Sequence, residues 1–127
     1  MTSRRLLHVE DDEALRRFVE AALEQAGYIV DGVPNGLEAL EALRRDPDAH
    51  RLVILDLVLP GLNGLELLAT LRANPTTRDL PVLVTTGTFI TANEFGRDPK
   101  VSVLRKPFDD QRIVAAVDSM LDASTRK

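Results

Sequence analysis

Leu52-Val53-Ile54-Leu55-Asp56 is an unbroken apolar run that ends in a carboxylate. Short continuous runs of this kind fit strands covered on both faces, as in a parallel sheet packed between helices. A carboxylate at the end of such a strand carries a heavy desolvation penalty if it stays ionised and alone. Asp56 therefore calls for a cation, a metal ion or a chemical modification that uses its nucleophilicity.

Outward from that run the pattern repeats. Leu6 to Val9 and Pro81 to Thr85 read as further buried strands, and Tyr28 to Val33 and Val101 to Leu104 as weaker ones. Helical periods lie between them: Leu15, Phe18, Val19, Ala22 and Leu23 on one stripe, then Leu37, Leu40 and Leu43, then Leu65, Leu68 and Leu71. Ile113, Val114, Val117, Met120 and Leu121 give the last helix an apolar face, with Asp109 or Asp110 as its cap. Asn35 followed by Glu38 predicts the start of the second helix, and Gly27 the left-handed residue that closes the first. Strands and helices alternate, which predicts an α/β fold with a five-stranded parallel sheet, doubly wound with helices on both faces. The fourth helix, expected within Phe89 to Lys100, should be short or irregular, because Gly96 and Pro99 interrupt it and Ile90 and Thr91 are poor helix formers. In an open parallel sheet the ligand site lies outside the carboxyl ends of the strands.

Composition limits the possible functions. The chain has 127 residues, 44% hydrophobic and 28% charged, which suits one domain over 1–127 with a frayed tail at 124–127. With 16 Lys+Arg against 20 Asp+Glu and a net charge of -4, it lacks the basic footprint of a nucleic-acid binder. There is no cysteine, hence no disulfide framework or thiolate metal site. The apolar runs are too short to span a bilayer, and the acids just behind Leu6 to Val9 do not suit a secretory signal. A soluble cytoplasmic protein, monomeric or weakly dimeric, with no membrane and no direct nucleic-acid contact, is expected.

The residues at the strand ends carry the chemistry. They are Glu10-Asp11-Asp12 after the first strand, Asp56 at the end of the third, Thr86-Gly87 after the fourth and Lys106-Pro107 after the fifth. Carboxylates within about 4 Å repel by roughly 4 kcal/mol at an effective dielectric near 20, so the acids need a counter-ion or raised pKa values. Oxygen donors of this kind suit Mg²⁺, which keeps part of its water shell. With the negative charge screened by a metal and by Lys106, Asp56 could attack phosphorus and form an acyl phosphate. The Thr86 hydroxyl, the Gly87 backbone amide and the Lys106 ammonium are suitable donors to its oxygens.

At these residues the chain resembles the receiver domain of two-component response regulators, of the stand-alone type. Leu6-Leu7-His8-Val9-Glu10-Asp11-Asp12-Glu13 is similar to the family's first strand with its acidic pair, and Asp56-Leu57-Val58-Leu59-Pro60-Gly61-Leu62-Asn63-Gly64 to its phosphoacceptor segment. Pro81 to Gly87 resembles the switch-threonine strand, and Arg105-Lys106-Pro107-Phe108 the lysine-proline turn, commonly cis in the family. The resemblance implies a flavodoxin-like strand order 2-1-3-4-5. It also implies phosphorylation of Asp56 by a sensor histidine kinase or histidine phosphotransfer protein, and an unknown protein target. Metal ligation would fall to Asp11, Asp56 and the Val58 carbonyl, with Glu10 acting through water.

The chain departs from the family pattern at Val103, where an aromatic switch residue is usual, and at Glu10, where Asp is commoner. Val103 and the irregular fourth helix point to an unusual output surface. Val58, being apolar, cannot orient a water toward an acyl phosphate, so slow loss of phosphate is expected. Taken singly, Glu10 to Glu13 could be the acidic first turn of a helix, Lys106 a solvated amine and Thr86 a strand residue. His8 reads as a satisfied core or half-buried histidine, His50 as a loop residue, and Phe89, Phe95 and Phe108 as packing. The competing functions are a receiver-like binding module that needs no phosphate, and a hydrolase using Asp56, for which the chain has little room to build a cap.

Overall fold

The structure is a computed structural model that describes residues 4–59, 61–88 and 98–125. Five strands, β1 (Arg5–Val9), β2 (Ile29–Val33), β3 (Leu52–Asp56), β4 (Val82–Thr86) and β5 (Val101–Arg105), form one sheet in the order β2-β1-β3-β4-β5. Every neighbouring pair is parallel. The described helices are α1 (Glu13–Gln25), α2 (Gly36–Arg45), α3 (Gly64–Ala73) and α4 (Asp110–Thr125). The expected helix between β4 and β5 falls largely on 89–97, outside the described residues, as do Phe89 and Phe95. No described helix is long and apolar enough to cross a membrane.

Alternation along the strands divides the core in two. Leu7 and Val9 of β1, with Val53 and Leu55 of β3, pack against Ala39 and Leu43 of α2 and Leu67, Leu68 and Leu71 of α3. Leu6, Leu52 and Ile54 face the other way, against Val19, Ala22 and Leu23 of α1 and Ile113 and Val117 of α4. Since both faces are covered, β3 and β4 are buried along their whole length. That accounts for the unbroken apolar runs.

The helix ends follow their capping residues. Asn35 accepts from the Glu38 amide, Asn63 and Glu66 form a reciprocal capping box, and Asp109 accepts from the Arg112 amide to cap α4. Gly27 takes φ +96° just after α1, as a left-handed closing residue should. The helical stripes differ from expectation. Phe18, Leu37 and Leu65 are exposed, Leu37 at 69%, and the buried partners are Ala39 with Leu43 and Leu67 with Leu71. At about 100° per residue, Leu37 and Leu43 stand about 120° apart, whereas positions four apart differ by only about 40°. A repeated step of three walks off the buried face. α4 also continues through Ser124 and Thr125, into the stretch expected to fray. Phe108 packs against the α1–α4 core, as expected of a packing residue.

Candidate functional site

The topology brings β1, β3 and β4 side by side, with Val9 opposite Leu55 and Asp56 opposite Thr85. The residues that follow β1 therefore meet the end of β3. Asp56 is only 6% exposed and Glu10 only 1%. One carboxylate oxygen from each of Glu10, Asp11 and Asp56 lies within 4.8 Å of the others.

The cation that Asp56 requires comes from the residue just beyond β5. Lys106 Nζ lies 3.2 Å from Asp56 Oδ2 and 3.1 Å from Glu10 Oε1, so one ammonium bridges both buried acids. The lysine reaches them because its backbone amide donates to the Thr86 carbonyl at 2.7 Å, and the cis Lys106-Pro107 peptide follows. Burial works against the charged lysine, but the carboxylates of Asp56 and Glu10 outweigh it, and its pKa is raised. Burial, reinforced by the negative charge of Asp56, pushes Glu10 up to about 7 despite hydrogen bonds from the Asp12 amide and Lys106.

The four acids after β1 divide into two roles. Asp12 caps α1 by accepting from the Leu15 amide, and Glu13 pairs with Arg17 one turn on. The helix-start reading holds for these two, whereas Glu10 and Asp11 join the carboxylate group with Asp56. On the β3 side, the Val58 amide donates to Asp56 Oδ1 at 3.1 Å and fixes the carboxylate's orientation. The Val58 side chain is 71% exposed. Gly64 lets α3 begin directly against this turn, since a Cβ there would meet the Asp56 carbonyl at 2.6 Å and the Leu57 Cα at 2.7 Å. Glycine is required there by close approach.

Thr86 is buried, and its Oγ1 accepts from the Thr88 amide at 3.1 Å and lies 2.9 Å from the Thr88 hydroxyl. Gly87 is exposed, and a Cβ there would meet nothing within 4 Å. Val103 is half-buried against the α2–α3 core. His8 is buried in β1, where burial, with Arg16 and Lys106 nearby, lowers its pKa to about 3. Its Nδ1 has no hydrogen-bond partner among the described residues, where it is a core histidine but not a fully satisfied one. His50 does lie in a loop, but it is buried and bonded to Asp31 at 2.8 Å.

Two features of this region escaped the sequence reading. Arg16 Nη1 donates to the Glu10 carbonyl at 2.8 Å, across a helix start that gives no local signal of the contact. The Thr86–Thr88 pair is a two-residue hydroxyl spacing at a strand end, a pattern known to close local turns.

The sheet order, the bridging lysine and the three gathered carboxylates agree with the family match. A model of the response regulator receiver domain matches residues 6–118. The chain belongs to that family. Receiver domains are signalling modules rather than enzymes in the ordinary sense, and they generally bind Mg²⁺ in an acidic pocket. This receiver domain is 38% identical over 125 residues to the response regulator receiver protein CpdR of Brucella abortus, covering 95% of this chain and 99% of that one. It is 35% identical over 122 residues to the transcriptional regulatory protein CseB of Streptomyces coelicolor, covering 91% of this chain and 48% of that one. The chain thus spans about half the length of some curated relatives and nearly the whole of another. A crystal structure from Chloroflexus aurantiacus matches with a TM-score of 0.84 at 31% identity, covering 95% of this chain and 99% of that one.

Proposed function

We propose that this receiver domain accepts a phosphoryl group on Asp56 from a sensor histidine kinase or a histidine phosphotransfer protein, and acts through protein contacts or onward relay. The observation that carries this reading is the Lys106 ammonium bridging Asp56 and Glu10 beside Asp11. Such a centre holds a nucleophilic carboxylate in place and supplies a cation next to the incoming phosphate.

The donor set fits a hard divalent ion, since Glu10, Asp11 and Asp56 offer carboxylate oxygens and both buried acids share a single lysine. Asp11 and Asp56 would hold Mg²⁺ directly, with the Val58 carbonyl, and Glu10 through water. When bound, Mg²⁺ supplies positive charge that offsets the carboxylates and the phosphoryl oxygens. In the transfer an Asp56 oxygen forms the bond to phosphorus. The bond from phosphorus to the donor nitrogen breaks, and its electron pair stays with that nitrogen. Lys106 stays protonated and donates to a phosphoryl oxygen. Thr86 contributes its hydroxyl proton when Thr88 supplies the proton of their shared bond, and the Gly87 amide is the third donor. The Val58 side chain offers no polar group to an attacking water, so the acyl phosphate should outlast seconds in the absence of a phosphatase. With an aliphatic residue at 103, the signal is not read through an aromatic ring at that position.

Incubation with acetyl phosphate or phosphoramidate and Mg²⁺, followed by intact mass measurement, tests the reading. A gain of about 80 Da in the native chain, absent in Asp56→Asn, is expected. No gain in the native chain would favour a phosphate-independent binding module of the same fold.

A further inference from the structure

We infer that Arg16, seated over Gly32 and paired with Glu20, is a positioning residue that fixes Glu10, and through it Asp11, for cation binding. The inference rests on the reading of Glu10, Asp11 and Asp56 as a Mg²⁺ site.

Glu10 is held at each of its polar atoms. Its amide donates to the Val33 carbonyl at 3.0 Å, Oε2 accepts from the Asp12 amide at 3.2 Å, and Oε1 accepts from Lys106 at 3.1 Å. Its carbonyl lies beyond the end of β1 at Val9 and accepts from Arg16 Nη1 at 2.8 Å. That last bond fixes the plane of the Glu10-Asp11 peptide, and with it the direction in which the chain delivers the Asp11 carboxylate. A bond from a guanidinium to a carbonyl is charge-assisted and stronger than a neutral one.

Three elements combine to place Arg16. It projects from the first turns of α1, and its Nε lies 4.0 Å from Glu20 Oε2 one turn further along. Neither side chain is freely exposed. Both lie over Gly32 in β2: a Cβ there would meet Glu20 Oε2 at 2.1 Å and the Arg16 Cδ and Cγ at 3.0 and 3.1 Å. Glycine weakens a strand interior and commonly marks close approach of another group. Here the approaching group is the pair that reaches the metal-binding end of β1. An exposed ion pair along a helix is worth little by itself, so the glycine trough and the carbonyl bond set Arg16 apart from an ordinary surface arginine.

Mg²⁺ titration by calorimetry on the native chain, Arg16→Met, Arg16→Lys and Gly32→Ala, combined with phosphoramidate labelling of Asp56 across Mg²⁺ concentrations, tests the role. Loss of such a supporting contact typically lowers metal affinity about 10–100-fold. Arg16→Met should fall in that range, with Arg16→Lys and Gly32→Ala weakened less. At saturating Mg²⁺ the labelling rate of each variant should return to the native value, a recovery that general loosening of the fold would not give. Native affinity in Arg16→Met, or a labelling defect that saturating Mg²⁺ leaves in place, overturns the inference. If thermal melts show that Arg16→Met does not fold, the same criteria apply to Arg16→Lys and Gly32→Ala. A native chain that binds no Mg²⁺ overturns the cation reading itself, a result distinct from native binding that is unaffected by the variants.

Discussion

Two clusters of charge sit on the same sheet, one at the carboxyl ends of its strands and one lower down between β1 and β2. At the lower cluster Asp31 accepts from Arg5 with both oxygens at 2.9 Å and bonds the buried His50 at 2.8 Å. Burial would raise its pKa, but hydrogen bonds from Arg5 and His50 outweigh burial and lower it. At the upper cluster two buried acids share Lys106 with a third acid close by, and burial raises Glu10 instead. The ingredients are alike and the balance is opposite. A cluster with enough donors stabilises the fold, whereas one with surplus acid holds charge available to a ligand and is a candidate for function.

Removing the shared cation should have the largest effect. Lys106→Ala leaves Glu10 and Asp56 buried without a counter-charge, and breaking a buried pair in this way is strongly destabilising. Because Lys106 is partly exposed, a loss of about 2 kcal/mol is expected in metal-free urea denaturation. Mg²⁺ should recover much of it by binding the native state only. A variant as stable as the native chain without metal would remove the basis for calling this cluster acid-rich.

Asp31→Ala is the matching cut at the balanced cluster. It leaves His50 buried without its acid and Arg5 without this partner, at an expected loss of about 1–2 kcal/mol, because Arg5 and Asp31 are themselves partly exposed. Mg²⁺ should not recover it, and Asp56 labelling should be unchanged. Selective rescue by Mg²⁺ would show that the two clusters are coupled.

Glu10→Gln should change stability in the opposite direction. It removes one of the surplus charges and keeps an acceptor for the Asp12 amide or Lys106, so in metal-free buffer at neutral pH the fold should gain about 1 kcal/mol. The same change should weaken Mg²⁺ binding. A loss of stability would mean that the ionised Glu10 is well compensated by its present partners.

The two clusters were not equally legible in the sequence. The upper one follows from topology: once parallel strands are inferred from runs such as Leu52 to Asp56, their last residues must converge, however far apart they stand in the chain. Asp56, Lys106, Glu10 and Asp11 were found that way. Arg5, Asp31 and His50 are joined across 26 and 19 residues at strand-start, mid-strand and loop positions, where no rule gathers polar side chains. Arg16 was hidden for a related reason, since its target is a backbone carbonyl, and every residue has one. The exposed Leu37 and Leu65 were misplaced because a three-residue step imitates a helical face over one turn and departs from it over two. Thr86 ends β4, as its apolar run predicts, but its attachment to Thr88 depends on a hydroxyl rotation that composition does not encode.

The last expected effect, which leaves stability at neutral pH untouched, concerns a third group, on the opposite face of the sheet, and it extends the contrast to a neutral acid. The Tyr28 hydroxyl donates to Asp118, and the Arg4 guanidinium stacks over the ring at 4.3 Å from its centroid. Burial, then the hydrogen bond to Asp118, pushes the Tyr28 pKa up to about 12. An acid whose folded pKa is raised keeps its full contribution below the unfolded value, near 10 for tyrosine, and loses it as pH rises toward the folded value. Between about pH 10 and 12 native stability should therefore fall by up to roughly 1.4 kcal/mol per pH unit from this group, and Tyr28→Phe should lack that component. Tyr28 is the only tyrosine and there is no tryptophan, so tyrosinate absorbance reports it alone. A spectroscopic midpoint near 10 would show that Asp118 does not hold the phenolic proton.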